Sequence, residues 1–268
     1  VSNNNSTLKG LIIDLRNNSG GLLDQAIEVS DKFLEKGIIV VTVGPGGHPR
    51  EIQEARKLET DEEFYPIVTL VDAGSASGAE IVAGALKENN RAVIVGDRSF
   101  GKGSVQQLIE LMDGSALKLT IAKYLNPLFT DIQSVGITPD IQLVPVTVTK
   151  DNINFFRGIT ALREEDLKQH LDEHPKGDKP YATVKYFSEA KEKAKTEEHA
   201  EVVDEETEDP YKLPDFTKDF HVLFAKNLLL QAKTWQRETI LQNSLPLVDE
   251  TTRSEGEKIA QSLQKLDI

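Results

Sequence analysis

The runs Leu11-Ile12-Ile13-Asp14-Leu15, Ile38–Val43, Ile67–Val71 and Ala92–Val95 are short and almost wholly apolar, and turns or helix-like segments separate them. A strand with one face in water alternates apolar and polar residues, whereas a strand covered on both faces reads as a continuous apolar run. This pattern predicts an α/β domain with largely buried strands. Between the first two runs, Leu22, Leu23, Ala26, Ile27, Ser30, Phe33 and Leu34 recur at the helical period, predicting an amphipathic helix over Leu22–Lys36 that Gly37 ends. A second helix is predicted over Ala79–Leu86, and the charged, weakly periodic segment Arg50–Phe64 reads as a helix or a mobile surface loop. After Lys102 the helical signal does not return. "VQQLIEL" and "ALKLTIAKYL" flank Asp113-Gly114 as a β-hairpin would, and "GITPDIQLVPV" supplies a last extended stretch.

From about Thr147 the chain becomes polar and charged, and Glu189–Asp209 is strongly acidic with few apolar residues. Such a stretch cannot bury enough surface to offset its ordering entropy, so a mobile linker is expected near 189–209. "FTKDFHVLFAKNLLLQAKTW" and "TTRSEGEKIAQSLQKL" restore amphipathic helical patterns. The chain therefore divides into residues 1–146, an α/β unit, and residues 147–268, an acidic, mostly helical C-terminal extension. No apolar run approaches the roughly 18 residues a membrane helix needs. The net charge of −13, without a basic cluster, argues against a nucleic-acid partner. Cysteine is absent, which removes thiol nucleophiles, disulfides and cysteine-ligated metals. The chain begins at Val1 and its only methionine is Met112, so it is expected to be a processed product or a part of something longer, from which a signal peptide or N-terminal domains could be missing.

Two constellations carry candidate chemistry. Gly96, Gly101 and Lys102 in "GDRSFGKGS" match the spacing of a phosphate-binding loop, but Gly103 stands where a magnesium-binding hydroxyl belongs. A strand-like pattern, not a helix, follows the lysine, and a phosphate loop needs the helix N-terminus. The second constellation pairs Ser77, in the small-residue turn "DAGSASG", with Lys102, in a glycine-lined turn after the next strand. A serine nucleophile needs a base, and four of the five histidines lie in the extension while His48 sits in a turn-rich loop. A serine–lysine arrangement is the natural alternative. Lysine acts as a base only when neutral, and desolvation among Phe100 and the flanking glycines would favour that form. Gln106 could orient the amine, and backbone N–H groups of Gly78 and of the Gly20-Gly21 turn could form an oxyanion hole.

Plainer readings stand beside these. Ser77-Gly-Ala-Glu80 is also a capping box, the common start of a helix. Ser75 offers the same hydroxyl without a capping partner. Asn17, Asn18, Gly20 and Gly21 could form a simple turn, Lys102 a solvated charge, and Asp14 with Arg16 a structural ion pair.

Taken together, "GLIIDLRNNSGGLL", "LVDAGSASGAEIVAGALKENNRAVIVGDRSFGKGSVQ" and "VGITPDIQL" resemble the carboxyl-terminal processing (tail-specific) serine proteases in order and spacing, over roughly residues 8–145. The resemblance implies a core like that of caseinolytic protease and crotonase, built from β-β-α units. It implies Ser77 as nucleophile, Lys102 as general base, Gln106 as the residue orienting the lysine, and oxyanion-hole amides at Gly78 and at the Gly20-Gly21 pair. It also implies hydrolysis near the C-termini of protein substrates through an acyl-enzyme, a bacterial periplasmic or extracytoplasmic setting, and no metal or cofactor. Partners would be proteins or peptides with exposed C-termini, with a homo-oligomer or an adaptor protein as further candidates. Ser19 replaces a usual proline, Gly78-Ala79 a usual Ala-Ser, and "NPLFTDIQ" lacks a Gly-Arg common before the last motif. The PDZ domain and first core strands usual in the family do not occur in this sequence. A non-catalytic peptide-binding or scaffold member of the same fold is the alternative, against which the intact Ser, Lys and Gln set weighs.

Overall fold

The computed structural model describes residues 8–44, 46–56, 64–149, 152–154, 163–164, 178–188 and 215–265. In chain order the elements are β1 (Leu11–Asp14), α1 (Leu23–Asp31), β2 (Ile38–Val43), β3 (Pro49–Glu54), β4 (Ile67–Val71), α2 (Gly78–Glu88) and β5 (Ala92–Gly96). They continue with β6 (Ser104–Glu110), β7 (Ala116–Leu125), β8 (Ile141–Thr149), β9 (Asn152–Asn154), β10 (Ala182–Phe187), α3 (Phe220–Gln231) and α4 (Arg237–Gln264). The mixed α/β class read from the apolar runs is the class observed.

A parallel sheet in the order β1-β4-β5-β8-β10 forms the centre, with β9 paired antiparallel to β8. Its two middle strands, β4 and β5, are buried at every residue. Alternate side chains explain why. Ile67, Val71, Ala92 and Ile94 join a core with α1, α2 and residues of β2. Val68, Leu70, Val93 and Val95 join a second core with Val184 of β10 and with Phe224, Leu228, Ile240 and Leu247 of α3 and α4. The second sheet is antiparallel, in the order β3-β2-β7-β6. Helix α2 packs against both β2 and β5, and every residue from Gly78 to Lys87 is buried.

Several local readings change. The segment expected as a helix or loop after Arg50 begins as strand β3, paired with β2, because its alternating Ile52 and polar neighbours suit a sheet edge. The predicted first helix is shorter, ending at Asp31. The 146/147 division falls inside β8, and residues beyond it supply β10 to the sheet and α3 and α4 to its second face. The linker expected near 189–209 lies outside the described residues. Among the described residues, no helix is long and apolar enough to cross a membrane.

Two ion pairs fasten the C-terminal helices to the sheet. Arg237 of α4 pairs with buried Asp140, which also accepts the Ile94 N–H at 2.9 Å. Arg16, after β1, donates to Asp14 and also reaches Asp219, the N-cap of α3, at 2.8 Å. Burial works to raise the Asp219 carboxyl, but Arg16 and the Val222 N–H outweigh it and hold the group below its ordinary value. A carboxyl depressed in the folded state contributes stability that is complete above its unfolded value and is lost as pH falls through its folded value. Urea midpoints of the wild type and Asp219→Asn should therefore differ most above about pH 4 and converge as the medium is acidified below it. A gap that persists unchanged into strong acid would contradict this origin.

Candidate active site

The parallel strands end at one edge of the sheet, and the loops after β1, β4 and β5 meet there. Crevices at the carboxyl ends of such strands are where open α/β sheets place their sites. The loop after β4 carries Ser75 and Ser77, which the structure distinguishes. Ser75 is fully buried; its hydroxyl donates to the Leu15 carbonyl at 2.7 Å and accepts the Asp72 N–H at 2.9 Å. It is a tie between β1 and β4. Ser77 occupies the N-cap of α2 with φ 53° and ψ −117°. A non-glycine residue there carries on the order of 1–3 kcal/mol of backbone strain, held only where the surroundings over-determine it. Strained strand-to-helix turns of this kind present a side chain at the sheet edge.

The surroundings come from the loop after β1. The Ala76 N–H donates to the Asn18 carbonyl at 2.9 Å. Gly20 has φ +95°, and a Cβ on it would lie 2.6 Å from the Ala76 oxygen, 2.7 Å from the Gly78 nitrogen and 2.8 Å from Ser77 Cβ. A Cβ on Gly78 would lie 3.2 Å from the Gly21 nitrogen. The structure thus brings Gly20, Gly21, Ser77 and Gly78 together. It also separates the two candidate amides of the glycine pair. The Gly20 N–H is engaged by Asn18 Oδ1 at 2.9 Å, whereas among the described residues the Gly21 and Gly78 N–H groups donate to no protein acceptor.

Glu80 joins this turn to the lysine loop. It is the third residue of an otherwise apolar helix end and is 0% exposed. Its Oε2 accepts the N–H of Ser77 at 2.9 Å and of Lys102 at 2.8 Å. Its Oε1 accepts the Gly101 N–H at 2.7 Å and the Ser99 hydroxyl at 2.6 Å. Two donors on one oxygen place the Ser77 and Lys102 nitrogens within about 6 Å of each other. Four donors match the four lone pairs of a carboxylate. Burial pushes the Glu80 carboxyl above its usual range, against those hydrogen bonds, which hold it down. The capping-box reading of Ser77-Gly-Ala-Glu80 is therefore sound but incomplete. Glu80 serves a second loop as well, and a lone carboxylate in an apolar helix turn was the signal for it.

Lys102 is half-buried between Gly101 (φ +95°) and Gly103. The Gly101 carbonyl accepts the Ser134 N–H at 2.8 Å, and a Cβ on Gly103 would lie 2.5 Å from the Gln133 nitrogen. Gly103 is thus required by close packing. Strand β6, not a helix, follows, and Glu80 already engages the Gly101 and Lys102 amides, so the loop is no phosphate cradle. Gln106 lies exposed on β6 beside a register shift. Among the described residues, no hydrogen bond joins the side chains of Ser77, Lys102 and Gln106. His48 is exposed on the β2–β3 turn, and His221 meets Tyr186 Oη at 3.2 Å.

The family model described as peptidase family S41 matches residues 2–143, just over half of the chain. The chain belongs to peptidase family S41. Among its S41 relatives, the carboxy-terminal-processing protease of Bartonella bacilliformis is 47% identical over 174 residues, covering 64% of this chain and 38% of that protein. The chloroplastic carboxyl-terminal-processing peptidase 2 of Arabidopsis thaliana is 41% identical over 150 residues, covering 56% of this chain and 29% of that protein. The chain thus spans 38% and 29% of the length of these two relatives. A solved photosystem II D1 C-terminal processing protease is 37% identical, with a TM-score of 0.46, over 50% of this chain and 34% of that one. The motifs quoted from the sequence, from "GLIIDLRNNSGGLL" to "VGITPDIQL", lie inside the matched region.

Two substitutions test this construction. Glu80→Gln keeps the shape but turns an NH₂ group toward buried N–H donors, so it should cost about 2–4 kcal/mol in a urea titration, as unsatisfied buried donors do. A loss below about half a kcal/mol would show that the carboxylate is not the tie. Gly20→Ala must displace the Ser77 turn, because the new methyl meets backbone atoms. Destabilisation of about 1–3 kcal/mol is expected, with the alanine variant at open Gly21 near neutral by comparison.

Proposed function

We infer that this chain is the catalytic core of a serine endopeptidase in which Ser77 is the nucleophile and Lys102 the general base. The observation that carries the reading is the single Glu80 oxygen that holds the Ser77 and Lys102 amides together. Membership of family S41 and the strained Ser77 turn support it. In this reading the neutral Lys102 amine accepts the Ser77 hydroxyl proton as Oγ attacks the scissile carbonyl. The tetrahedral oxyanion is held by the Gly78 N–H and one amide of the Gly20-Gly21 pair. Gly21 is favoured, since Asn18 engages Gly20. Collapse transfers the proton from Lys102 to the departing amine and leaves an ester on Ser77. Water, deprotonated by Lys102, then releases the acyl group. In this reading Gln106 orients the lysine amine.

The substrates proposed are proteins cleaved near exposed C-termini, in line with the names of the relatives, in an extracytoplasmic setting. A homo-oligomer or an adaptor protein would be the further partners. Residues 1–146 would carry the chemistry, and residues 147–268 would form an extension that closes the second face of the sheet.

Turnover of an unfolded protein by the wild type, Ser77→Ala and Lys102→Ala is the direct test. Each variant should lose about a thousandfold or more in kcat, and an acyl adduct trapped by rapid quenching should map to Ser77 and vanish in Ser77→Ala. Equal activity in all three proteins would sink the dyad, and turnover by none of them would favour the non-catalytic peptide-binding reading.

A further inference from the structure

The loop after β5, residues 97–103, is held from two sides. Glu80 grips it from α2. On its other flank lies Gln133, 1% exposed, whose Oε1 accepts the buried Gly103 N–H at 3.0 Å. Gln133 Nε2 in turn donates to Glu164 Oε1 at 3.0 Å. Glu164 comes from beyond β9, and its own N–H donates to the Phe100 carbonyl at 3.2 Å. Its neighbour Arg163 donates to Asp97 Oδ2 at 3.0 Å. Two consecutive residues of the extension therefore touch the lysine loop at Asp97 and at Phe100, and at Gly103 through Gln133.

The chemistry of the relay gives Glu164 a specific task. The two ends of a glutamine amide are nearly identical in shape but opposite in hydrogen bonding. A carboxylate only accepts, so Glu164 draws the NH₂ end toward itself and leaves the oxygen facing Gly103. With the amide reversed, two donors would meet at Gly103, and a buried N–H would lose its acceptor. Gly103 is next to Lys102, so the orientation of Gln133 bears on where the lysine backbone sits.

The geometry points to Glu164 as a positioning residue. Supplied by the C-terminal extension, it sets the Lys102 loop through Gln133, with Arg163 anchoring it at Asp97. This rests on the reading of Lys102 as the base, but the clamp has a readout of its own. In amide hydrogen exchange of the whole chain, Glu164→Ala should speed exchange of a peptide covering 99–105 by about tenfold while peptides of β4 and β5 stay unchanged. Glu164→Gln should behave as the wild type, because its amide oxygen still accepts from Gln133. In turnover of an unfolded protein, Glu164→Ala should lower kcat by about tenfold with KM nearly constant, and Glu164→Gln should restore it. Unchanged exchange in Glu164→Ala overturns the clamp. Faster exchange with an unchanged kcat overturns its role in positioning the base. Ser77→Ala, run alongside, separates the two ideas: if it stays fully active the dyad reading falls, while the exchange arm still decides the clamp.

Discussion

A buried carboxylate is costly unless hydrogen bonds replace its water, and among the described residues Glu80 is held by hydrogen bonds and no ion pair. Its four donors come from two places in the chain: Ser77 in the turn after β4, and Ser99, Gly101 and Lys102 in the loop after β5. It also lies in the first turn of α2, where the helix dipole favours a negative charge. The chain cannot satisfy Glu80 without bringing the serine turn and the lysine loop to the same few ångströms. A requirement of hydrogen bonding inside an apolar core thereby becomes the geometry of a site.

That geometry depends on the layers around it. Because β4 and β5 are covered on both faces, the loops that leave them start from strands packed into both cores. The second face is closed by α3 and α4, which the sequence places in a distant extension. Arg16 and Arg237 fasten these helices where the strands begin and end. The extension thus contributes to the stability of the site as well as touching the lysine loop through Arg163 and Glu164.

Much of this was legible in the residues. Continuous apolar runs announced β4 and β5, and the 3.6-residue period announced α1, since both follow from which faces must leave water. Ser77, Lys102, Gly20, Gly21 and Gly78 were legible as small or reactive residues in turns after such runs. Strand β3 was not legible, because a sheet edge tolerates polar residues that read equally as loop. Gln106 is in the strand expected of it, yet no hydrogen bond joins it to Lys102 among the described residues. Gln133 and Glu164 were invisible, because a relay between residues 31 positions apart leaves no local pattern.

The amino-acid sequence by itself determined the α/β class, the order of strands and helices in the first half apart from β3, and the residue types that meet at the candidate site. These are consequences of local periodicity and of turn chemistry, which act over a few residues. Only the tertiary structure decided that Ser75 is a structural tie while Ser77 sits in a strained turn. It alone decided that Asn18 engages Gly20 and leaves Gly21 open, and that one glutamate oxygen serves both halves of the site. Those outcomes turn on which donor reaches which acceptor across the fold, and hydrogen bonding at that range is set by packing.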